Sequence, residues 1–522
     1  MTAEATGPPG SLPALFARSV ERWPQSPAVR AGEKELNYRQ LQEEVQHLAR
    51  GLRGLGVVSG DRVAVFLPKR IETVVSMLAV LAADAVLVPV NPALKPAQVE
   101  HILRNCTPRV LITLEDRAGG LAHYLDSEAP GPVVVRVDSP SGPERRDGNA
   151  WVALNRTGTG GEENFQLASP LAALLYTSGT TGLPKGVMVS HSNLAFGVDS
   201  VVTYLGIDHT DRILCSLPFS FDYGLNQLLS AVAVGACAVL LDYFHAQQVL
   251  RTVESERITA LAGVPTMWVQ LAAQEWPRDV ARSLRYITNS GDRLPPRTLA
   301  ILRDRLPDAR IFLMYGFTEA FRGAFLDPQL LDTHADSIGK PVPHSQFDII
   351  DDSGESLPPG EVGELVQRGP LVTCGYWQDA MKTGAKFAPT KSDGLHADWV
   401  RSGDLAWRDE DGFYYFMGRV DHLIKTAGYR VSRTEVEEVL HSSGLVLDAA
   451  VVGRPHPVWG SQVIAFVSAP AGGTVDVEAL LQHCRRNLPR YMVPNQVGLL
   501  AEVPKTANAK IDYESLRDRH CD

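Results

Sequence analysis

Apolar residues recur along this chain in two rhythms. In "LNYRQLQEEVQHLARGL", Leu41, Val45, Leu48, Ala49 and Leu52 return at helical spacing with Gln and Glu opposite, which predicts a helix with one buried face. "DRVAVFL" then reads as a short buried strand, followed by a helix through Met77 and a strand at "AVLVPV". Such βα alternation implies a mostly parallel sheet covered by helices. It resumes at "ASPLAALLYTSG" and runs past Tyr315. Between these stretches, "DSPSGPERRDGNAW" and "RTGTGGEEN" are polar and rich in Pro, Gly and Ser, which predicts an exposed insertion. From about Asp348 the texture changes to short β-type runs with frequent glycine, the pattern of a small antiparallel subdomain. After "FYYFMGRVDHLIK" strands and amphipathic helices follow, enough for a small α+β domain. The expected fold is therefore α/β: a large domain of helix-covered, mostly parallel sheets with a small β subdomain over residues 1–420, then an α+β domain over 421–522.

Length and charge narrow the picture. A chain of 522 residues with 44% hydrophobic content exceeds what one core needs, so two or more domains are expected. A net charge of -10, with basic residues interleaved among acidic ones, argues against nucleic acid as a partner. Two apolar runs invite comparison with membrane spans. Val74 to Val90 contains Asp84, and Leu228 to Leu241 is interrupted by Gly235, so both read as a helix running into a buried strand. "MTAEATGPPG" lacks the charged and apolar regions of a signal peptide. The six cysteines, Cys106, Cys215, Cys237, Cys374, Cys484 and Cys521, include no C-x-x-C pair. That pattern suits a reducing cytoplasm, and the sequon at Asn155 is then a chance match.

The first chemical signal is "YTSGTTGLPKG", Tyr176 to Gly186. It departs from the Walker pattern, because Lys185 follows Gly182 by three places and precedes another glycine. Placed between the apolar strand "LAALL" and the helix-like "HSNLAFGV", this turn can aim backbone N–H groups and the hydroxyls of Thr177, Ser178, Thr180 and Thr181 at phosphate oxygens. Lys185 adds charge. Further motifs follow in order: "NSGDRLP" from Asn289, "MYGFTEA" from Met314, "SGDLAWRDEDGFYYFMGRVDHLIKTAGYRVSRTEVEEVL" from Ser402, and "VPKTANAKIDYESL" from Val503.

With these motifs the chain resembles, over essentially its whole length, the adenylate-forming enzymes: acyl-CoA synthetases, luciferases and nonribosomal peptide synthetase adenylation domains. The resemblance implies that a carboxylate attacks the α-phosphate of ATP, releasing pyrophosphate, and that a thiol or other nucleophile then takes the acyl group. It implies that Thr177, Ser178, Gly179, Thr180, Thr181, Gly182 and Lys185 hold the β- and γ-phosphates. Tyr315, beside Gly316, stacks on adenine, whose edge Ser290, Gly291 and Asp292 line. Thr318 contacts the α-phosphate and Glu319 holds Mg²⁺, a hard cation suited to carboxylate and phosphate oxygens. Asp404 accepts from the ribose hydroxyls with Arg419 nearby, although an Asp after Gly also commonly makes a turn. Lys510 bridges substrate carboxylate and adenylate, and Ala509 stands where the family usually has glycine. The C-terminal domain is mobile in such enzymes, which makes Asp421 the hinge and brings Gly428 to the thiol channel after adenylation. Lys425 contacts phosphate in one state or is a surface lysine.

The acid is less constrained. In "LPFSFDYGLNQLL", Asp222 matches the aspartate that pairs with the α-ammonium in amino-acid-activating relatives, and its bland alternative is a strand-end residue. A buried carboxylate needs a cation, and two candidates stay open: a substrate ammonium or Arg322. Pairing with Arg322 weakens the amino-acid reading. Tyr223, Asn226, Asn289 and Arg322 make a pocket too polar for a long alkyl chain, with Met314 and Gly323 as further substrate-binding candidates. "FDYGLNQ" and "MYGFTEAFR" are similar to stand-alone aminoacyl–carrier-protein ligases and to ligases found with exosortase systems. The leading expectation is a ligase for a small polar carboxylic acid, an amino or imino acid first. A non-amino acid, or direct amide formation, is the alternative, and a catalytically silent binding protein a further one. No carrier-domain pattern is seen, so the acceptor is expected from outside: coenzyme A, phosphopantetheine on a free-standing carrier protein, or an amine.

Overall fold

The computed structural model describes residues 11–128, 131–138, 149–150, 169–177, 184–242, 245–277, 280–387, 399–419, 423–426, 429–456, 460–470, 473–506 and 511–520. Backbone contacts divide the chain into two compact units, residues 1–347 with 367–400, and residues 348–366 with 401–522. Most of the region expected as the insertion lies outside the described residues, as does Asn155.

The first unit holds two large sheets. One has seven strands, in the order Asn149–Ala150, Val133–Arg136, Val110–Thr113, Arg62–Phe66, Val86–Pro89, Leu171–Thr177 and Lys185–Ser190. Every described pairing in it is parallel except the last. The other has nine strands, with five parallel pairings in its middle joining Arg310–Tyr315, Tyr286–Asn289, Ala260–Gly263, Arg212–Cys215, Cys237–Leu240 and Pro27–Ala31. Antiparallel strands close both of its edges. Four-residue runs such as "VLVP" at Val86–Pro89 and "YITN" at Tyr286–Asn289 are buried throughout, as parallel strands covered on both faces must be.

Local chemistry sets the element ends. The helix Tyr38–Gly54 starts at a capping box in which the Asn37 side chain accepts from the Gln40 backbone and the Gln40 side chain accepts from Asn37 N–H. Its buried stripe includes Leu41, Val45, Leu48, Ala49 and Leu52, the predicted face. The apolar run at Val74 is the helix Ile71–Ala82 turning at Asp84 into the strand Val86–Pro89. The run at Leu228 is the helix Asp222–Val234 turning at Gly235 into Cys237–Leu240. Among the described residues no helix is long and apolar enough to cross a membrane. Tyr38 ties these layers together: its fully buried hydroxyl donates near the end of the helix Asp222–Val234, at 3.0 Å to Ala231 O and 2.7 Å to Ala236 O.

The second unit contributes most of a four-stranded sheet (Gln346–Ile350, Gly363–Arg368, Trp399–Arg408, Tyr414–Arg419). It also carries the hairpin Leu423–Thr426 with Tyr429–Ser432, and a three-stranded sheet of Asp448–His456, Gly460–Ser468 and Gln496–Leu500. Helices Arg433–Ser442 and Val477–Asn487 share a separate apolar core with that last sheet through Val436, Leu440, Leu480 and Cys484.

Tyr38→Phe keeps the ring and removes the donor from two buried carbonyls. We expect a loss of about 1–3 kcal/mol, read as a lower thermal midpoint; an unchanged midpoint contradicts this role.

Candidate active site

The central strands of the nine-stranded sheet end side by side. Gly263 pairs with Asn289, and Asn289 with Leu313, so the segments after these strands emerge on one rim. Open α/β sheets bind ligands at such carboxyl ends. Ser290, Gly291 and Asp292 follow Asn289 directly, and Asn289 Nδ2 donates to Asp292 O at 3.0 Å, closing the turn. Gly291 has φ +95°, which suits glycine. Tyr315 ends its strand with its ring edge-on to Phe347 at 6.2 Å. Gly316 and Gly323 face each other beside it, and a side chain on Gly323 would come within 2.9 Å of Tyr315 O. The structure thus brings the predicted adenine residues to one rim of the first unit.

Thr318 and Glu319 form a single 3₁₀ turn, Thr318–Ala320. A segment that sequence reasoning missed holds this turn. Thr373 donates from both N–H and hydroxyl to Glu319 O at 2.9 Å, and Tyr376 OH donates to Glu319 Oε1 at 2.5 Å. Lys185 Nζ stands 5.6 Å from the centre of the Tyr376 ring. Burial, then the nearby Lys382, lower the Lys185 pKa, while Glu319 and Asp379 oppose that shift. The signal was present in "TCGYW", but only the fold shows that its backbone pairs with the strand carrying Lys185: Cys374 N donates to Met188 O and Trp377 N to Gly186 O, each at 2.8 Å.

One expectation needs correction. The hydroxyl-rich turn does not run from strand to helix. Thr177 and Lys185 are register partners across an antiparallel pair, and the helix His191–Leu205 starts only after Lys185–Ser190. Ser178, Gly179, Thr180, Thr181 and Gly182 lie outside the described residues, as do Asp421, Gly428, Ala509 and Lys510. Of Lys425 only the backbone is described, in the hairpin strand Leu423–Thr426.

Asp222 opens the helix Asp222–Val234 and is not a strand-end residue. Asp222, Asn226 and Ser230 follow at four-residue steps on one helix face. Arg322 reaches this face from the segment after Glu319. Its Nη1 donates to Asp222 Oδ2 and its Nη2 to Asp222 O, at 3.0 and 3.3 Å. Asp222 is 5% and Arg322 8% exposed, so the pair is desolvated. Gln367 Nε2 donates to Arg322 O at 2.6 Å, and the guanidinium lies 5.6 Å from the Tyr223 ring centre. Tyr223 itself shares a 2.5 Å hydrogen bond with Thr288 Oγ1, and burial raises its pKa. The chain turns into Arg322 through Phe321, at φ +53°, whose ring fills the space over Gly197; a Cβ there would sit 2.4 Å from it. The structure brings together Tyr223, Asn226, Met314 and Arg322 around one cavity of ≈30 Å³, whereas Asp222, Asn289 and Gly323 do not line it. Tyr204 lines it too and was missed, because "VVTYLG" shows only helical periodicity.

In the second unit, Asp404 and Arg419 are register partners on adjacent strands, 3.4 Å apart between carboxylate and guanidinium. Ser402 fixes this strand by donating to Leu365 O at 2.6 Å and accepting from Asp404 N–H at 2.9 Å. No group of three or more His, Cys, Asp or Glu able to hold a metal occurs among the described residues. Glu319 fits a different kind of ion: one carboxylate, with an oxygen beyond that bonded by Tyr376, suits Mg²⁺ that keeps waters and phosphate oxygens as its other ligands.

Comparison with known proteins agrees with this layout. Residues 16–377 match the family model for AMP-binding enzymes, and residues 435–510 match the model for the AMP-binding enzyme C-terminal domain. The chain is 30% identical to an indoleacetate–CoA ligase of Aromatoleum aromaticum, over 95% of each chain. It is 32% identical to a feruloyl-CoA synthase of an Amycolatopsis species, over 98% of each. The structure of the anthranilate CoA ligase AuaEII in complex with anthranoyl-AMP superposes with a TM-score of 0.87 at 26% identity, covering 99% of this chain and 98% of that one.

Arg322→Met removes the guanidinium that balances Asp222 and is expected to cost roughly 3–5 kcal/mol of stability, with most of it recovered in R322M/D222N. Chemical denaturation followed by fluorescence checks this, and equal stability of the single and double variants would contradict it.

Proposed function

The chain belongs to the AMP-binding enzyme family and is an adenylate-forming ligase; from that premise we propose that it activates a small, polar, non-amino carboxylic acid and passes the acyl group to coenzyme A. The buried Arg322–Asp222 pair carries this reading. An amino-acid activator would use Asp222 for the substrate ammonium, but here its Oδ2 accepts from Arg322. A second cation beside the pair would leave one positive charge in excess inside a desolvated pocket. The names of two relatives, an indoleacetate–CoA ligase and a feruloyl-CoA synthase, support the same direction.

In this reading the acid's carboxylate attacks the α-phosphorus of ATP, forming a C–O–P linkage and expelling pyrophosphate. A thiolate then attacks the acyl carbon and AMP leaves. The protein's task is to position two anions and stabilise charge that develops at phosphorus. Thr177 and Lys185, paired across their hairpin, would steady the leaving phosphates. Tyr376 would hold the Glu319 carboxylate in one orientation. Mg²⁺ bound at Glu319 would supply positive charge to phosphate oxygens. Tyr315 with Ser290–Asp292 would take adenine, and Thr318 the α-phosphate. Asp404 with Arg419 would take ribose, Lys510 would bridge carboxylate and adenylate, and rotation at Asp421 would bring Gly428 to the thiol.

A second reading has one observation behind it. Asp222 is present at the start of its helix, and a substrate ammonium that displaced Arg322 could still use it. That would make the chain an aminoacyl ligase delivering to a carrier protein.

Pyrophosphate–ATP exchange without acceptor separates the two across amino, imino, aryl, dicarboxylic and short fatty acids. Exchange with non-amino acids, slowed about 10²–10³-fold in Lys510→Ala, is the expected outcome. Exchange confined to amino or imino acids would overturn it.

A further inference from the structure

The helix Pro96–Cys106 touches both stems of the hydroxyl-rich hairpin. Val99, Ile102, Leu103 and Cys106 bury one side of it in the core of the seven-stranded sheet, which makes the helix a fixed support. His101 and Asn105, one helical turn apart, face the hairpin. Tyr176 OH donates to Asn105 Oδ1 at 2.5 Å, and His101 Nε2 donates to Pro184 O at 3.1 Å. A carbonyl only accepts, so Nε2 is a protonated ring nitrogen. Tyr176 directly precedes Thr177, and Pro184 directly precedes Lys185, the register pair that would meet phosphate. Pro184 has no N–H to give a ladder, so its carbonyl is the one backbone group by which that residue can be tied.

Asn105 holds a third segment. Its carbonyl accepts from Trp377 Nε1 at 3.2 Å, and Trp377 N donates to Gly186 O at 2.8 Å. A Cβ on Gly186 would lie 3.0 Å from the Tyr176 ring and 3.4 Å from Trp377 Cβ, so the three pack together without spare room. Trp377 follows Tyr376, whose hydroxyl donates to Glu319. One helical residue therefore joins the strand before Thr177 to the segment that holds Glu319, and with His101 it fixes both ends of the hairpin relative to that carboxylate. Lys185 and Glu319 serve one phosphate chain in the proposed reaction, and a displacement of about 1 Å between such groups can cost ~100-fold in rate. For core packing alone, apolar side chains at 101 and 105 would serve; hydrogen bonds add direction, which a phosphate cradle requires.

We infer that His101 and Asn105 are positioning residues for the triphosphate of ATP, setting the two stems of the hairpin from outside the site. The inference rests on the proposed phosphate role of Thr177 and Lys185 and names the residues that hold those two in place.

Binding of ATP with Mg²⁺ and of AMP, measured by calorimetry on the full chain, tests it, because AMP lacks the β- and γ-phosphates. His101→Phe and Asn105→Leu should each weaken ATP binding ~3–10-fold, the range of one lost hydrogen bond, while AMP binding changes less than ~2-fold. His101→Gln, which keeps a donor, should recover ATP binding to within ~2-fold of the native chain. Tyr176→Phe leaves the helix intact and should match Asn105→Leu, with thermal midpoints confirming folded protein. Loss of ATP and AMP affinity together, unchanged ATP affinity in the folded variants, or no recovery in His101→Gln would overturn the inference. Lys185→Ala is the reference: it should weaken ATP and spare AMP. If Lys185→Ala spares both nucleotides, the phosphate reading itself fails; if it weakens ATP and the helix variants do not, only the positioning role does.

Discussion

A carboxylate and a guanidinium buried together govern the acid-binding half of this protein. Neither Asp222 nor Arg322 could be held at such low exposure alone, since an isolated buried charge costs several kcal/mol. Their pairing sets the path of the segment from Thr318 to Gly323, because Arg322 reaches Asp222 only when Phe321 takes its left-handed turn and its ring lies on Gly197. Gln367 then fastens the Arg322 carbonyl from a later strand. The same segment carries Thr318 and Glu319, so the residues proposed to meet phosphate and those lining the acid cavity share one short piece of backbone.

That shared backbone gives a physical link between recognition and chemistry. A ligand that disturbed the Arg322–Asp222 pair would strain the turn bearing Glu319, which Thr373 and Tyr376 hold from the other side. An acid that leaves the pair intact finds the turn already in place. Preorganisation of this kind is what electrostatic stabilisation of a phosphoryl centre needs.

Much of this could be read from the sequence. The buried face of Tyr38–Gly54, the helix-to-strand turns at Asp84 and Gly235 and the α/β class follow from spacing alone. The motifs at Asn289 and Met314 lie at the ends of strands, where an apolar run stops at glycine and polar residues. What escaped depended on distance in sequence. Whether Arg322 meets Asp222 or a substrate could not be decided across a separation of 100 positions. The support of Glu319 by Tyr376, 57 positions away, follows from an edge pairing that local patterns do not announce. The strand "KGVMVS" between the hydroxyl-rich stretch and the next helix escaped because it is short and merges with the apolar start of that helix.

The most direct measurement is a crystal structure with a non-hydrolysable acyl-sulfamate mimic of the adenylate, made from whichever acid supports exchange. The account predicts that Arg322 Nη1 stays within hydrogen-bond distance of Asp222 Oδ2 and that no cationic group of the ligand touches Asp222. A ligand ammonium seated on Asp222, with Arg322 swung away, would contradict it.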